Sequence, residues 1–163
     1  MISALGGLLS MGVVGLLAWA TGAPVLAPPL GATALLCFQL PLVPASSPRH
    51  VFCGHALGML CGWLALWVTG GLGQPAALAG LGLPGVLAAS LALGATMLVM
   101  GACRCVHPPA GATTLVVSLG LLQQPLDLAA LLGGGLAVAA IAQAFHRLRG
   151  VDYPLWSPRE TER

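Results

Sequence analysis

The strongest constraint on this chain is a phrase that it carries twice. Pro28-Pro29-Leu30-Gly31-Ala32-Thr33-Ala34-Leu35 recurs as Pro108-Pro109-Ala110-Gly111-Ala112-Thr113-Thr114-Leu115, about 80 positions later in a chain of 163 residues. Self-similarity at that spacing points to an internal duplication, so the fold has to accommodate two copies of one unit packed against each other. In each copy the double proline forces an extended approach, because Pro fixes its own φ and restricts the residue before it. The small Gly-Ala-Thr step then opens a run of Leu, Val, Ala and Thr that reads as the start of a short helix.

What surrounds the two phrases decides the solvent. With 58% hydrophobic and 6% charged residues and a mean hydropathy of +0.95, a water-soluble domain of this size could not cover itself. The chain belongs in a bilayer, with lipid as its first partner. It contains no lysine. Its six basic residues are Arg49, Arg104, Arg147, Arg149, Arg159 and Arg163, and a formal charge of +2 so dispersed argues against a nucleic-acid partner. The five cysteines, Cys37, Cys53, Cys61, Cys103 and Cys105, are odd in number and mostly inside apolar runs, which fits reduced, buried thiols better than a disulfide framework.

Taken in order, the first apolar run from Ile2 to Ala20 is long enough to span a bilayer and is followed by the breakers Thr21-Gly22-Ala23-Pro24. It lacks the basic start of a secretion signal and the Arg and Ser enrichment of an organelle-import peptide, so a bacterial plasma (inner) membrane is the expected location. The first phrase starts a helix over 31–40, and Pro41 and Pro44 end it; at 1.5 Å per residue it covers only about half of a ~30 Å core. A span over 49–69 follows, with Ser47 or Pro48 placed to start it. It carries Gly54, Gly58 and Gly62 on one face, a small-residue seam on which another helix can pack within the protomer or across an oligomer. Trp63 and Trp67 lie one turn apart near its far end. Gly70 to Pro75 is a loop, the next span covers 85–102, and Cys103-Arg104-Cys105-Val106 closes it. The second phrase gives a short helix over 111–122, and the last span covers 126–145. One transmembrane domain, 1–149, therefore contains repeat one (2–72) and repeat two (83–149), and 150–163 is a short polar tail.

Two topologies compete. With both short helices re-entrant there are four spans, and the arginines divide between the two sides. If each short helix and its proline lead-in together complete a crossing, Arg49, Arg104, Arg147 and Arg149 fall on the side of both termini, as the positive-inside rule favours. Three crossings per unit also invert the second copy. The expected fold is thus all-α, with two inverted three-segment repeats each interrupted at its Pro-Pro, and with both termini cytoplasmic. Non-helical backbone persists at membrane depth only where protein or trapped water satisfies it, so both breaks should be internal. Two half-helices would then aim free amides and positive dipole ends at one central zone, which is suited to an anion.

The run His107-Pro108-Pro109-Ala110-Gly111-Ala112 resembles the signature of the HPP family of integral membrane proteins. Ser47-Pro48-Arg49-His50-Val51-Phe52-Cys53-Gly54-His55 is similar to that family's second characteristic stretch, a Pro-Arg followed by Gly-His. Here His50 stands where many relatives have Asn. Family members in cyanobacteria and chloroplasts are associated with nitrite transport, so the resemblance implies a transporter or channel for a small monovalent anion, with nitrite the first substrate to consider.

The expected substrate site consists of Gly31, Ala32, Thr33, Gly111, Ala112 and Thr113 at the helix starts, with His107 and His55 beside them. Each has a plainer reading. His107 could cap loose carbonyls near its prolines, His55 could bond a neighbouring helix, and the threonines could bond their own backbone four residues back. Arg49 and Arg104 fit topology determinants better than anion ligands. The Cys103, Cys105 and His107 alternation lacks a fourth ligand for structural zinc, so neither metal nor cofactor is expected. Asp127 is the only acid between Met1 and Asp152, and no Ser-His or Cys-His pair has catalytic context, so an enzyme is not expected and no catalytic residue is assigned. A structural or assembly protein without transport activity, homo-oligomeric in either reading, is the remaining alternative. The six-segment topology is checked by single cysteines at Gln74 and Arg159, expected to label from opposite sides of the membrane; labelling of both from one side would sink it.

Overall fold

The computed structural model describes residues 2–23, 26–74 and 82–157. Six helices follow in order: α1 (Ile2–Thr21), α2 (Pro28–Gln39), α3 (Pro48–Val68), α4 (Leu83–Ala102), α5 (Ala110–Ser118) and α6 (Pro125–Leu148), with a short 3-10 turn at Pro44–Ser46 between α2 and α3. There is no strand among the described residues. Helices α1, α3, α4 and α6 have 20, 21, 20 and 24 residues and are apolar enough to cross a membrane. The chain is a multi-pass membrane protein. The linker at 75–81 and the tail arginines Arg159 and Arg163 lie outside the described residues.

Local chemistry sets the helix ends. A proline in the first turn opens α2, α3, α4 and α6, a position where a missing N–H costs no helical bond. The same rule moves the start of α2 from the expected Gly31 to Pro28. The Ser47 hydroxyl caps α3 by accepting the His50 amide at 3.4 Å. Gly22, Gly120 and Gly150 adopt φ of 67°, 75° and 73° just beyond α1, α5 and α6, left-handed stops that cost glycine nothing. Helix α5 accordingly ends at Ser118, short of the expected 122.

Bonds between helix ends show how the segments lie. At one face the His146 ring of α6 donates to the Cys37 carbonyl of α2 at 3.1 Å, and Tyr153 donates to the Ser46 carbonyl. There too the Arg49 guanidinium of α3 donates to the Cys103 and Arg104 carbonyls beyond α4 at 3.3 Å each. Helix α1 starts at this face as well, since Gly6 packs against Phe38 near the end of α2. At the opposite face the Gly73 amide donates to the Gln123 side chain at 2.7 Å, joining the loops after α3 and α5. Helix α2 thus ends at the face rich in arginine and α5 ends at the other. The first and last described residues, 2 and 157, share the arginine-rich face, and Arg49, Arg104, Arg147 and Arg149 lie on it.

The glycine seam of α3 turns out to be an internal contact, onto α5 and its lead-in. A Cβ on Gly54 would lie 2.5 Å from the His107 Cβ, one on Gly58 would lie 2.9 Å from both the Ala110 carbonyl oxygen and the Thr114 hydroxyl, and one on Gly62 would lie 2.8 Å from the Thr114 carbonyl. Only glycine allows this approach. A continuous apolar core of Leu30, Phe38, Val51, Val117, Leu131 and Val138 fills the space between α2, α3, α5 and α6. The outer surface is apolar too: Leu16, Met97 and Leu98 are 66%, 66% and 76% exposed, as lipid-facing side chains should be.

Gly58→Ala should therefore destabilise by about 1–3 kcal/mol through overpacking, lowering the melting temperature in detergent. Gly94→Ala, where an added Cβ meets nothing within 4 Å, should melt like the parent; equal behaviour of the two variants would refute the seam.

Candidate functional site

Four polar side chains from four separate elements converge inside the helical body. Thr33 comes from α2, His55 from α3, Thr113 from α5 and His107 from the segment between α4 and α5, and all four are fully buried. Helical periodicity explains the placement on α3, where Val51, Gly54, His55, Gly58 and Met59 share the inward face. The Gly54 contact brings His107 against α3, and Gly135 of α6 leaves room for the His55 ring, whose Cδ2 would lie 3.1 Å from a Cβ there.

The cluster is one chain of hydrogen bonds. The Thr113 hydroxyl lies 2.7 Å from His55 Nδ1, and His55 Nε2 lies 2.9 Å from the Thr33 hydroxyl. Thr33 lies 3.1 Å from His107 Nε2, and His107 Nδ1 lies 2.8 Å from the Ala45 carbonyl. The carbonyl only accepts, so the His107 proton sits on Nδ1. The two rings meet edge to face with centroids 4.9 Å apart. Thr33 also lies 3.0 Å from the Pro29 carbonyl one turn back. Beside this cluster Thr114 donates to the Ala110 carbonyl at 3.0 Å and meets Thr96 of α4 at 3.0 Å.

The structure gathers four of the eight expected site residues, Thr33, His55, His107 and Thr113. The other four look elsewhere. Residues two apart on a helix are about 200° apart around its axis, so Gly31 and Gly111 turn away from the cluster that Thr33 and Thr113 enter. Gly31 lines a cavity of about 410 Å³ against α1, and Gly111 faces Leu93 of α4. Ala32 and Ala112 meet on an outward apolar groove of about 550 Å³ beside Pro108 and Pro109. Nor are the first amides of α5 open to a ligand, because those of Ala110, Gly111 and Ala112 donate to the carbonyls of His107, Pro108 and Pro109 at 2.9, 3.0 and 3.1 Å.

Two features escape sequence reasoning. One is the Ala45 carbonyl, a backbone group with no signature in residue type. The other is the second buried assembly at the arginine-rich face, where the His146 ring stacks on Tyr153 with centroids 5.5 Å apart. Burial raises the Tyr153 phenol well above its ordinary value, which keeps it protonated as the donor to Ser46. His146 lies in the last turn of α6, and its Nδ1 is the one buried side-chain nitrogen or oxygen without a partner among the described residues. No three His, Cys, Asp or Glu side chains among the described residues are grouped to hold a metal ion.

The family model described as the HPP transmembrane region matches residues 1–154. No curated protein matches the chain, and no solved structure matches it.

Thr33→Val keeps the shape but leaves ring nitrogens of both histidines unpaired, so it should destabilise by about 1–3 kcal/mol per group left unsatisfied. Thr33→Ser should melt close to the parent. Indistinguishable melting of Val, Ser and parent would show that the Thr33 bonds do not form.

Proposed function

The chain belongs to the HPP family of integral membrane proteins, and from that premise we propose that it transports a small monovalent anion, nitrite first among the candidates, through the buried Thr33, His55, His107 and Thr113 cluster. The observation that carries this reading is the chemistry of the cluster. Two imidazoles and two hydroxyls meet at the centre of a membrane body, and the described acids, Asp127 and Asp152, lie in the first turn of α6 and in the tail. A cation would find no carboxylate there. An anion would find N–H and O–H donors, without a buried arginine that would hold it too tightly to release. Ionisable side chains at membrane depth are costly and mark substrate or proton pathways by default. Binding would proceed by exchange, the anion taking over donors that the cluster now directs at itself.

In this reading the two halves work as inverted repeats, each contributing one threonine from its repeated phrase and one histidine. The arginine-rich face looks to the cytoplasm of a bacterium. The reading involves no covalent chemistry, cofactor, metal or nucleic acid. A structural or assembly role without transport is the second reading, favoured by the outward groove that joins Ala32 of one phrase to Pro108, Pro109 and Ala112 of the other, a surface on which a homo-oligomer could pack.

The test is flux of nitrite, nitrate, formate and chloride into liposomes containing the purified protein. Thr113→Val removes one donor without adding bulk and should cut anion flux about tenfold or more, the worth of a hydrogen bond to a charged group. A folded Thr113→Val protein that transports at the parental rate would move the site elsewhere, and absence of any anion flux in the parent would favour the assembly role.

A further inference from the structure

We propose that Thr33 joins His55 and His107 into a relay that holds one proton, and that each anion crosses together with a proton drawn through it. This deepens the anion reading and rests on it.

The direction of the bonds follows from their ends. Because Ala45 supplies a carbonyl, His107 carries its proton on Nδ1 and turns a lone pair on Nε2 towards Thr33. Thr33 donates its single proton to that lone pair and accepts the proton on His55 Nε2. His55 is then bare at Nδ1 and accepts from Thr113. Every link points the same way, from Thr113 to Ala45, and both rings are neutral. That one arrangement uses each donor and acceptor once, in keeping with the absence of an unpartnered side-chain atom in the cluster.

An extra proton has a place to go. It bonds to the Thr113 oxygen as the Thr113 O–H proton passes to His55 Nδ1; His55 passes its Nε2 proton to Thr33, and the Thr33 hydroxyl proton passes to His107 Nε2. One proton has entered and one positive charge now sits on His107. Thr33 then turns its remaining O–H to His55 Nε2, now bare, and its oxygen accepts from His107 Nε2, so the links between Thr113 and His107 reverse and none is lost. The Pro29 carbonyl, 3.0 Å from the same hydroxyl, gives that O–H a second acceptor as it turns back when the chain of bonds resets. Discharge takes a proton from His107 to water or to the anion once the bond to Ala45 opens, and Ala45 lies beside the arginine-rich face, in the turn that Tyr153 also grips.

The capacity is one proton because the ring centroids are only 4.9 Å apart and two imidazolium charges would repel with no carboxylate between them. Around His55, the facing parts of α2, α5 and α6 bring Thr33, Thr113 and Gly135, none of them titratable. Around His107 the titratable and charged groups are His50, Arg49 and Cys53 of α3, Cys103 and Arg104 at the end of α4, and the neighbouring Cys105. His146, Arg147 and Arg149 of α6 stand at the same face. Asp152, in the segment after α6, stands at this face too, but the arginines Arg49, Arg104, Arg147 and Arg149 outnumber it, which favours release of the proton there. A proton travelling with a monovalent anion also makes the moving load neutral, removing the charge penalty that a bare anion meets in hydrocarbon.

The experiment uses the full chain in liposomes with a lumenal pH dye and the voltage clamped by potassium and valinomycin. Nitrate serves as a probe beside nitrite, because nitrous acid crosses lipid unaided. The expected result is one proton per anion, flux that is insensitive to voltage and rises as the outside is acidified, a proton-to-anion ratio that falls at least fivefold in Thr33→Val, and normal coupling in Thr33→Ser. Voltage-driven anion flux without protons would overturn the relay and leave the anion reading standing, whereas no anion flux in the parent would overturn the reading beneath it. If Thr33→Val does not fold, nitrogen NMR of the histidine-labelled parent in nanodiscs decides. Neutral His107 with its proton on Nδ1, and a single protonation shared by both rings, supports the relay; the opposite tautomer or two independent titrations overturns it.

Discussion

With no Cβ at Gly54, Gly58 and Gly62, α3 lies against α5 and its lead-in at a distance that any other residue would prevent. That approach positions everything else at the centre. It seats His107 directly on α3, one residue from His55, and it brings the first turn of α5 close enough for Thr113 to reach His55 at 2.7 Å. In hydrocarbon no water is available to satisfy an imidazole, so each ring has to find two partners from the protein itself. The glycines provide the proximity, and the hydroxyls and one carbonyl provide the partners. A wider separation would leave both histidines buried and unpaired, a cost that would compete with folding itself.

Much of the fold was legible because membrane segments are written in long apolar runs bounded by proline, glycine and serine. All six helices lie within a few residues of the expected positions, and the Ser47 cap is a local signal that tertiary packing had no reason to override. The seam of α3 was legible as a close contact, though not its partner, since spacing reveals a face and says nothing about which helix meets it. The site was only half legible. Thr33, His55, His107 and Thr113 could be picked by residue type and by the repeated phrase. Gly31, Ala32, Gly111 and Ala112 were grouped with them by adjacency in sequence, and the helical turn of about 100° per residue separates what adjacency joins.

The expected use of the helix starts needs the same correction. Free amides at a helix N-terminus attract anions only while nothing else has bonded them. In α5 the preceding residues curl into the helix, and three successive amides are already spoken for by the carbonyls of His107, Pro108 and Pro109. In α2 the prolines supply no N–H at all, and Leu30 donates to Ala27. In the proposed reading, the recognition chemistry therefore moves from backbone to side chain. This matters physically, because a helix dipole is fixed, whereas hydroxyls rotate and imidazoles exchange protons, so the donors can turn towards a ligand and back again.

The duplication also divides the work unequally. Thr33 and Thr113 occupy the same position of the repeated phrase, but Thr33 touches both rings and the Pro29 carbonyl, while Thr113 touches His55 alone. The 3-10 turn at Pro44–Ser46 has two adjacent carbonyls that face different neighbours: Ala45 accepts from His107 inside, and Ser46 accepts from Tyr153 in the segment after α6. That segment is itself tied down, the Arg147 guanidinium donating to the Tyr153 carbonyl at 3.1 Å and the Arg49 amide to the Trp156 carbonyl at 3.0 Å. A shift of this turn therefore changes the partners of the central cluster and of the chain end together. The tautomer of His107, on which the polarity of the whole chain of bonds depends, is in this way fixed from the arginine-rich face of the molecule.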